Sequence, residues 1–123
     1  MDKHRIGQRG EDLAANFLQK KGYRILERNF RAEGGEIDII AQDNDYICFI
    51  EVKMRSSTLF GTPAEAVNYK KQNRIKKLSQ IYLKENGLSD KPQRFDILEI
   101  IMEYNNKYSN SKIRYINLIR NAF

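Results

Sequence analysis

Two short runs hold the residues best suited to hydrolytic chemistry: Gly35-Glu36-Ile37-Asp38-Ile39-Ile40 and Phe49-Ile50-Glu51-Val52-Lys53, with twelve residues between Asp38 and Glu51. The first run alternates polar and apolar residues, the period of a strand whose two faces differ, and the second belongs to an apolar, β-branched stretch that reads as a central strand. A four-residue turn at 42–45 sets Ala41 against Tyr46, Asp38 against Phe49 and Glu36 against Glu51. In that hairpin Glu36, Asp38, Glu51 and Lys53 share a face. A slip of two residues preserves the arrangement and a slip of one destroys it. Asp38 and Glu51 are then direct or diagonal neighbours, roughly 5–8 Å apart at Cβ, within joint reach of one divalent cation. Opposed like charges repel, and burial raises the cost. The face is therefore either wet, with Lys53 paired to Glu51 or Glu36, or built around a cation. In the second reading Asp38 and Glu51 are ligands of Mg²⁺ (or Mn²⁺), ions that favour carboxylates, water and phosphate oxygens. Lys53 then stabilises an attacking hydroxide or a pentavalent phosphate.

Other residues extend this site or decorate it. Glu11 lies at the margin of a helical apolar stripe. It is either a boundary acid near a helix start, favoured there by the dipole, or a further site carboxylate. Lys71 falls by helical angle in the middle of a second apolar stripe. A lysine there either snorkels to the rim or points at a phosphate. Gln72 flanks the same side, and Lys70, Arg74, Lys76 and Lys77 spread around the outer faces, placed to follow a nucleic-acid backbone. Asp96, opening a strand in Arg94-Phe95-Asp96, either supports the site or is a polar strand end. His4, the single imidazole, sits in a tail too loose for catalysis, and Cys48 reads as a buried, inert thiol.

The elements that must position these residues follow from periodicity and breakers. Ile6, Gly10, Leu13, Ala14 and Phe17 share one side of a first helix, with Leu18 at its edge and Gly22 as its end. Residues 23–30 read as a short edge strand, Gly34-Gly35 as a turn, residues 36–41 as an alternating strand and 46–53 as a central one. Thr62-Pro63-Ala64-Glu65 is a capping box with proline at the first helical position, predicting a helix to about Asn86 that stops at Gly87. Strands over 95–103 and 113–119 close the chain. Helix, three strands, helix, two strands is a mixed-sheet α/β domain, single over residues 1–123.

Composition bounds the partners. The chain has 123 residues and a net charge of +6, all of it in the second half: residues 1–62 balance ten basic against ten acidic, residues 63–123 carry twelve against six. Five of those twelve lie between Lys70 and Lys77. No apolar stretch approaches the roughly 20 residues of a membrane span, and the first residues lack a signal region. One cysteine and one histidine make neither a disulfide nor a zinc site. The expectation is a cytoplasmic protein with a polyanionic partner and no membrane contact.

The pattern Asp38…Glu51-Val52-Lys53 resembles the D…E-x-K motif of the PD-(D/E)xK nuclease superfamily. Together with Gly7-Gln8-Arg9-Gly10-Glu11, Gly35-Glu36-Ile37-Asp38, Lys71-Gln72, Arg94-Phe95-Asp96 and Asn121-Ala122-Phe123, the chain resembles the YraN-like family of small bacterial predicted endonucleases, similar to archaeal Holliday-junction resolvases. The resemblance implies a restriction-endonuclease-like mixed central sheet flanked by helices. It implies Asp38 and Glu51 as metal ligands, Lys53 as the catalytic lysine and Glu11 as an accessory acid, with Lys71 and Gln72 on the basic helix that follows. The expected function is metal-dependent hydrolysis of phosphodiester bonds in DNA, with branched DNA as substrate and a homodimer as the acting form. The alternative is a catalytically silent nucleic-acid-binding module on the same fold.

Overall fold

The computed structural model describes residues 3–55, 67–105 and 110–123, with the side chains of residues 10–55, 67–102, 113 and 115–123. In chain order these residues form α1 (Lys3–Lys20), β1 (Arg24–Ala32), β2 (Gly35–Asp43), β3 (Tyr46–Arg55), α2 (Tyr69–Glu85), β4 (Gln93–Asn105) and β5 (Asn110–Ile119). The strands lie in one sheet in sequence order, β1-β2-β3-β4-β5. Only β3–β4 is parallel, since the chain traverses α2 between them; the other neighbours are antiparallel. The result is the mixed-sheet α/β architecture that the element order predicts.

The β3 run is central because it must be buried on both sides: Ile47, Cys48, Phe49 and Ile50 are all fully buried. Cys48 and Ile50 join Ile39, Ala41, Leu98 and Ile100 under Ala14, Ala15 and Leu18 of α1. Ile47 and Phe49 join Ile40 and Ile97 under Ile75, Leu78, Tyr82 and Leu83 of α2. Leu18, expected at the edge of the α1 stripe, is fully buried within it. His4 falls inside α1, whose first residue is Lys3, and not in a loose tail. Cys48 is the inert thiol expected, with burial pushing its pKa up to about 12. Among the described residues no helix is long and apolar enough to cross a membrane.

The strands run longer than expected, β1 to Ala32, β3 to Arg55, β4 over Gln93–Asn105 and β5 from Asn110, and two further boundaries differ in ways that bear on the site. The β2–β3 turn has two residues, because Asp43, and not Ala41, opposes Tyr46. Asn44 takes φ 55°, a left-handed conformation that asparagine tolerates, and this closes the shorter turn. The register moves by two, so the side chains of the paired stretches, residues 39–43 and 46–50, keep their predicted faces. The second helix begins at Tyr69, well inside the predicted span. Asn68 is extended at φ −71°, ψ 170°, and its side chain accepts from the Lys71 amide, so the cap lies there. The capping box at 62–65 and the stripe residue Ala64 lie outside the described residues. At its other end α2 stops as predicted, at the C-cap Asn86 followed by Gly87 with φ 66°.

Candidate metal and nucleic-acid site

The site is built where β2 parts from β3. The β2–β3 ladder runs from Asp43↔Tyr46 to Ile39↔Ile50, whereas β1–β2 pairing continues to Ala32↔Gly35. Asp38 is the first residue past the end of the β2–β3 ladder, and continuing the register by one sets it opposite Glu51. Its Oδ2 accepts from the Val52 amide at 2.8 Å, so a carboxylate takes the place of a main-chain carbonyl at the fork. Strict alternation also ends here. Ile37 and Ile39 are two apart yet join clusters on opposite sides of the sheet, Ile37 packing with Phe30 toward α2 and Ile39 toward α1.

A fork lets residues from both sides of the sheet meet. Glu11 arrives from α1. The residue before it, Gly10, lies so close to β3 that a Cβ there would be 2.6 Å from Met54 Sδ, an approach that only glycine allows without displacing that side chain. Carboxylate oxygens of Glu11, Glu36 and Asp38 all lie within 4.8 Å of one another. Lys71 arrives from α2, its Nζ 2.6 Å from Glu51 Oε1, and Lys53 Nζ is 3.4 Å from the same oxygen. Glu51 is only 6% exposed, and these two ammonium groups compensate its charge.

The electrostatics record this crowding. Asp38 has its pKa pushed up to about 7, first by burial, then by Glu51, with Glu11 and Glu36 adding to the rise and the Val52 amide opposing it. Burial lowers the Lys53 pKa, helped by the neighbouring Lys71. Burial is the largest single influence on Lys71 and pulls its pKa down, but the hydrogen bonds to Glu51 and Lys53 and the charges of Glu51 and Asp38 together outweigh it, and the net direction is up. A set of acids that repel one another and an aspartate drawn toward neutrality are what a divalent cation relieves. Opposite ligands of an octahedral Mg²⁺ lie about 4.2 Å apart and those of Ca²⁺ about 5 Å. At most one pair among three ligands can be opposite, so the three oxygens, all within 4.8 Å of one another, could hold a hard cation by drawing in around it.

The fork opens into a cleft of about 930 Å³, lined by Arg31, Glu36, Asp38, Glu51, Lys70, Lys71 and Arg74 with the 32–35 turn, Asn68 and Ile75. The turn fits tightly under α2: a Cβ on Gly35 would be 2.8 Å from Leu78 Cδ1 and 3.1 Å from Arg74 Cδ. Of the residues singled out from the sequence, the structure brings Glu11, Asp38, Glu51, Lys53, Lys70, Lys71 and Arg74 to this region. Gln72 is directed elsewhere, its side-chain amide donating to the Val67 carbonyl at 2.9 Å. The sequence marks Glu36 only as a charge on the shared face; its i, i+2 spacing from Asp38 is the signal that it belongs to the acidic group.

Asp96 is structural. It is fully buried, receives Nε and Nη2 of Arg94 at 2.9 Å each, and accepts from the Asn121 amide at 2.8 Å. Arg94 also reaches Asp43 at 3.1 Å and the Tyr23 hydroxyl. Neither Arg94 nor Asp96 lines the cleft.

Residues 10–100 match the model of an uncharacterised protein family, UPF0102. A relative from Acetivibrio thermocellus is 49% identical over 99% of this chain and 93% of its own length. One from Clostridium kluyveri is 50% identical over 96% of this chain and 93% of its own. One from Alkaliphilus oremlandii is 52% identical, with 97% of each chain covered. All three carry the name UPF0102 protein. With a family model spanning most of its length and relatives near half identity end to end, the chain belongs to the uncharacterised protein family UPF0102, the YraN-like family that its motifs resemble.

Proposed function

We propose that this protein is a metal-dependent endonuclease that hydrolyses phosphodiester bonds in DNA, with branched or junction DNA as its preferred substrate, on a restriction-endonuclease-like core. The observation that carries the reading is the fork at Asp38. It gathers Glu11, Glu36 and Asp38 within 4.8 Å and sets Lys53 and Lys71 on Glu51 beside them. A wet strand end would not need a carboxylate 6% exposed between two lysines, nor an acid from each of two separate elements. The preference for branched DNA rests on the family resemblance.

Glu11, Glu36 and Asp38 would hold the cation, with Glu51 completing the set. A bound Mg²⁺ or Mn²⁺ supplies positive charge to a phosphoryl oxygen and acidifies a water at neutral pH. Lys70 and Arg74 line the cleft and hold the phosphate backbone. Lys53, with its ammonium 3.4 Å from Glu51, places a fixed positive charge where negative charge grows on the phosphorus oxygens. The Val52 amide keeps the Asp38 carboxylate oriented throughout.

The test is a substrate panel of linear, flapped and four-way-junction DNA with Mg²⁺, Mn²⁺ or EDTA. Wild type is expected to cut only with metal. Asp38→Asn should be inactive and Lys53→Ala should lose about 10²-fold or more. Equal cutting by the variants sinks the assignment. Salt-sensitive binding without cutting under either metal identifies a binding module instead.

A further inference from the structure

Glu51 is the acid in the cleft that is already taken. Lys71 Nζ lies 2.6 Å from its Oε1, the closest charge contact among the described residues of the site. Lys71 is also drawn by Asp38, so its ammonium lies in the field that would attract a cation. Its main chain is fixed: it is in the first turn of α2, and its amide is bonded to the Asn68 cap at 2.9 Å. Only the flexible four-carbon stem can move. On the same helix Lys70 and Arg74 line the same cleft, so a phosphate held by them is within the sweep of the Lys71 side chain.

We infer that Lys71 couples cation loading to phosphodiester binding. Without metal, its ammonium takes the cation's place on Glu51. A divalent cation at the fork repels it, and the freed ammonium joins Lys70 and Arg74 on the substrate phosphates. This rests on the reading of the cleft as a metal-dependent phosphodiesterase site. Thermodynamic reciprocity follows: the factor by which the cation raises phosphate affinity is the factor by which bound phosphate raises cation affinity. Lys53 differs. It sits on the strand beside Glu51, 3.4 Å from it and 21% exposed, against 39% for Lys71, and stays with the acid.

The experiment measures Mn²⁺ binding by the DNA-free protein, read as loss of the free-ion EPR signal, in wild type, Lys71→Gln, Lys71→Arg and Lys84→Gln. Lys84, in the last turn of α2, lies about 20 Å along the helix from Lys71 and controls for net charge. Lys71→Gln is expected to bind Mn²⁺ at least about fivefold more tightly than wild type, with Lys71→Arg and Lys84→Gln close to wild type. In a second arm, anisotropy of a labelled four-way junction is titrated with EDTA or with Ca²⁺, which takes the same oxygen ligands. The Ca²⁺-induced gain in DNA affinity should be larger in wild type than in Lys71→Gln by about threefold or more. Equal Mn²⁺ affinity in wild type and Lys71→Gln, or equal Ca²⁺ gains, overturns the role of Lys71 and leaves the nuclease reading standing. Failure of wild type to bind Mn²⁺ at all overturns both.

Discussion

Asp38 Oδ2 accepts the Val52 amide at 2.8 Å, so one carboxylate both closes the end of the β2–β3 ladder and faces the acidic group of Glu11, Glu36 and Glu51. The two duties pull in opposite directions. The amide favours the charged form, while burial and the neighbouring acids favour the neutral one, and the neutral form gains ground until the pKa stands near 7.

That balance predicts a pH dependence of stability in the metal-free protein. An acid raised from 3.8 to about 7 on folding binds its proton more tightly in the native state. Its contribution to stability is present in full below the unfolded value and is lost as pH rises through the folded one. In EDTA the thermal midpoint should fall between pH 5 and pH 8, and Asp38→Asn should flatten that fall. An unchanged slope in Asp38→Asn would place the titration on another group.

Gly35 predicts a steric effect. A methyl there would stand 2.8 Å from Leu78 Cδ1, the end of a side chain that is itself buried at 2% exposure. Gly35→Ala should cost about 1–3 kcal/mol by overpacking. Leu78→Val, which removes the crowding atom, should cost less in the Gly35→Ala background than alone. Chemical denaturation of the four proteins measures the coupling.

Arg94 predicts a stability effect with no loss of chemistry. Removing it strands Asp96, which is fully buried. Arg94→Met should therefore destabilise by about 3–5 kcal/mol, since an uncompensated buried charge is costly. Arg94→Met/Asp96→Leu should recover part of that loss, even though it leaves the Asn121 amide without its acceptor. If both variants melt alike, the pair is not what holds this corner together.

Lys70 and Arg74 predict a salt effect. Each lines the cleft, and each, replaced by Ala, should weaken DNA binding uniformly across sequences. The slope of log affinity against log salt should shrink by about 0.9 for every phosphate that is no longer neutralised. Binding isotherms at several salt concentrations separate this from damage to the fold, which would leave no binding to titrate.

The elements were legible in the sequence because each has a local signature. Alternation marks residues 36–41, a doubly apolar run marks 46–53, and Gly22 and Gly87 mark helix ends. The paired acids of β2 and β3 were legible because a two-residue error in register leaves strand faces unchanged. Three things were hidden, all set by tertiary geometry. The start of α2 depends on Asn68 capping Lys71, a choice that the stronger-looking signal at 62–65 conceals. The placement of Glu11 depends on β2 leaving β3, which no alternation pattern encodes. The pairing of Lys71 with Glu51 depends on how α2 lies over the sheet: helical angle could place the lysine toward the core but could not name the acid it meets.

The fork has a mechanical side. Past Ile39 the β2–β3 ladder ends, and the free arm, the β1–β2 hairpin tip carrying Glu36 and the 33–35 turn, is stitched to β3 by the Val52–Asp38 bond. The stitch is the same carboxylate that we propose as a cation ligand. Whatever neutralises or recruits Asp38 changes the tension on one wall of the cleft as it changes the charge at its floor. A substitution that deletes the side chain, such as Asp38→Ala, removes ligand and fastening together. Asp38→Asn keeps an oxygen acceptor for Val52 and is the variant that separates lost chemistry from a loosened arm.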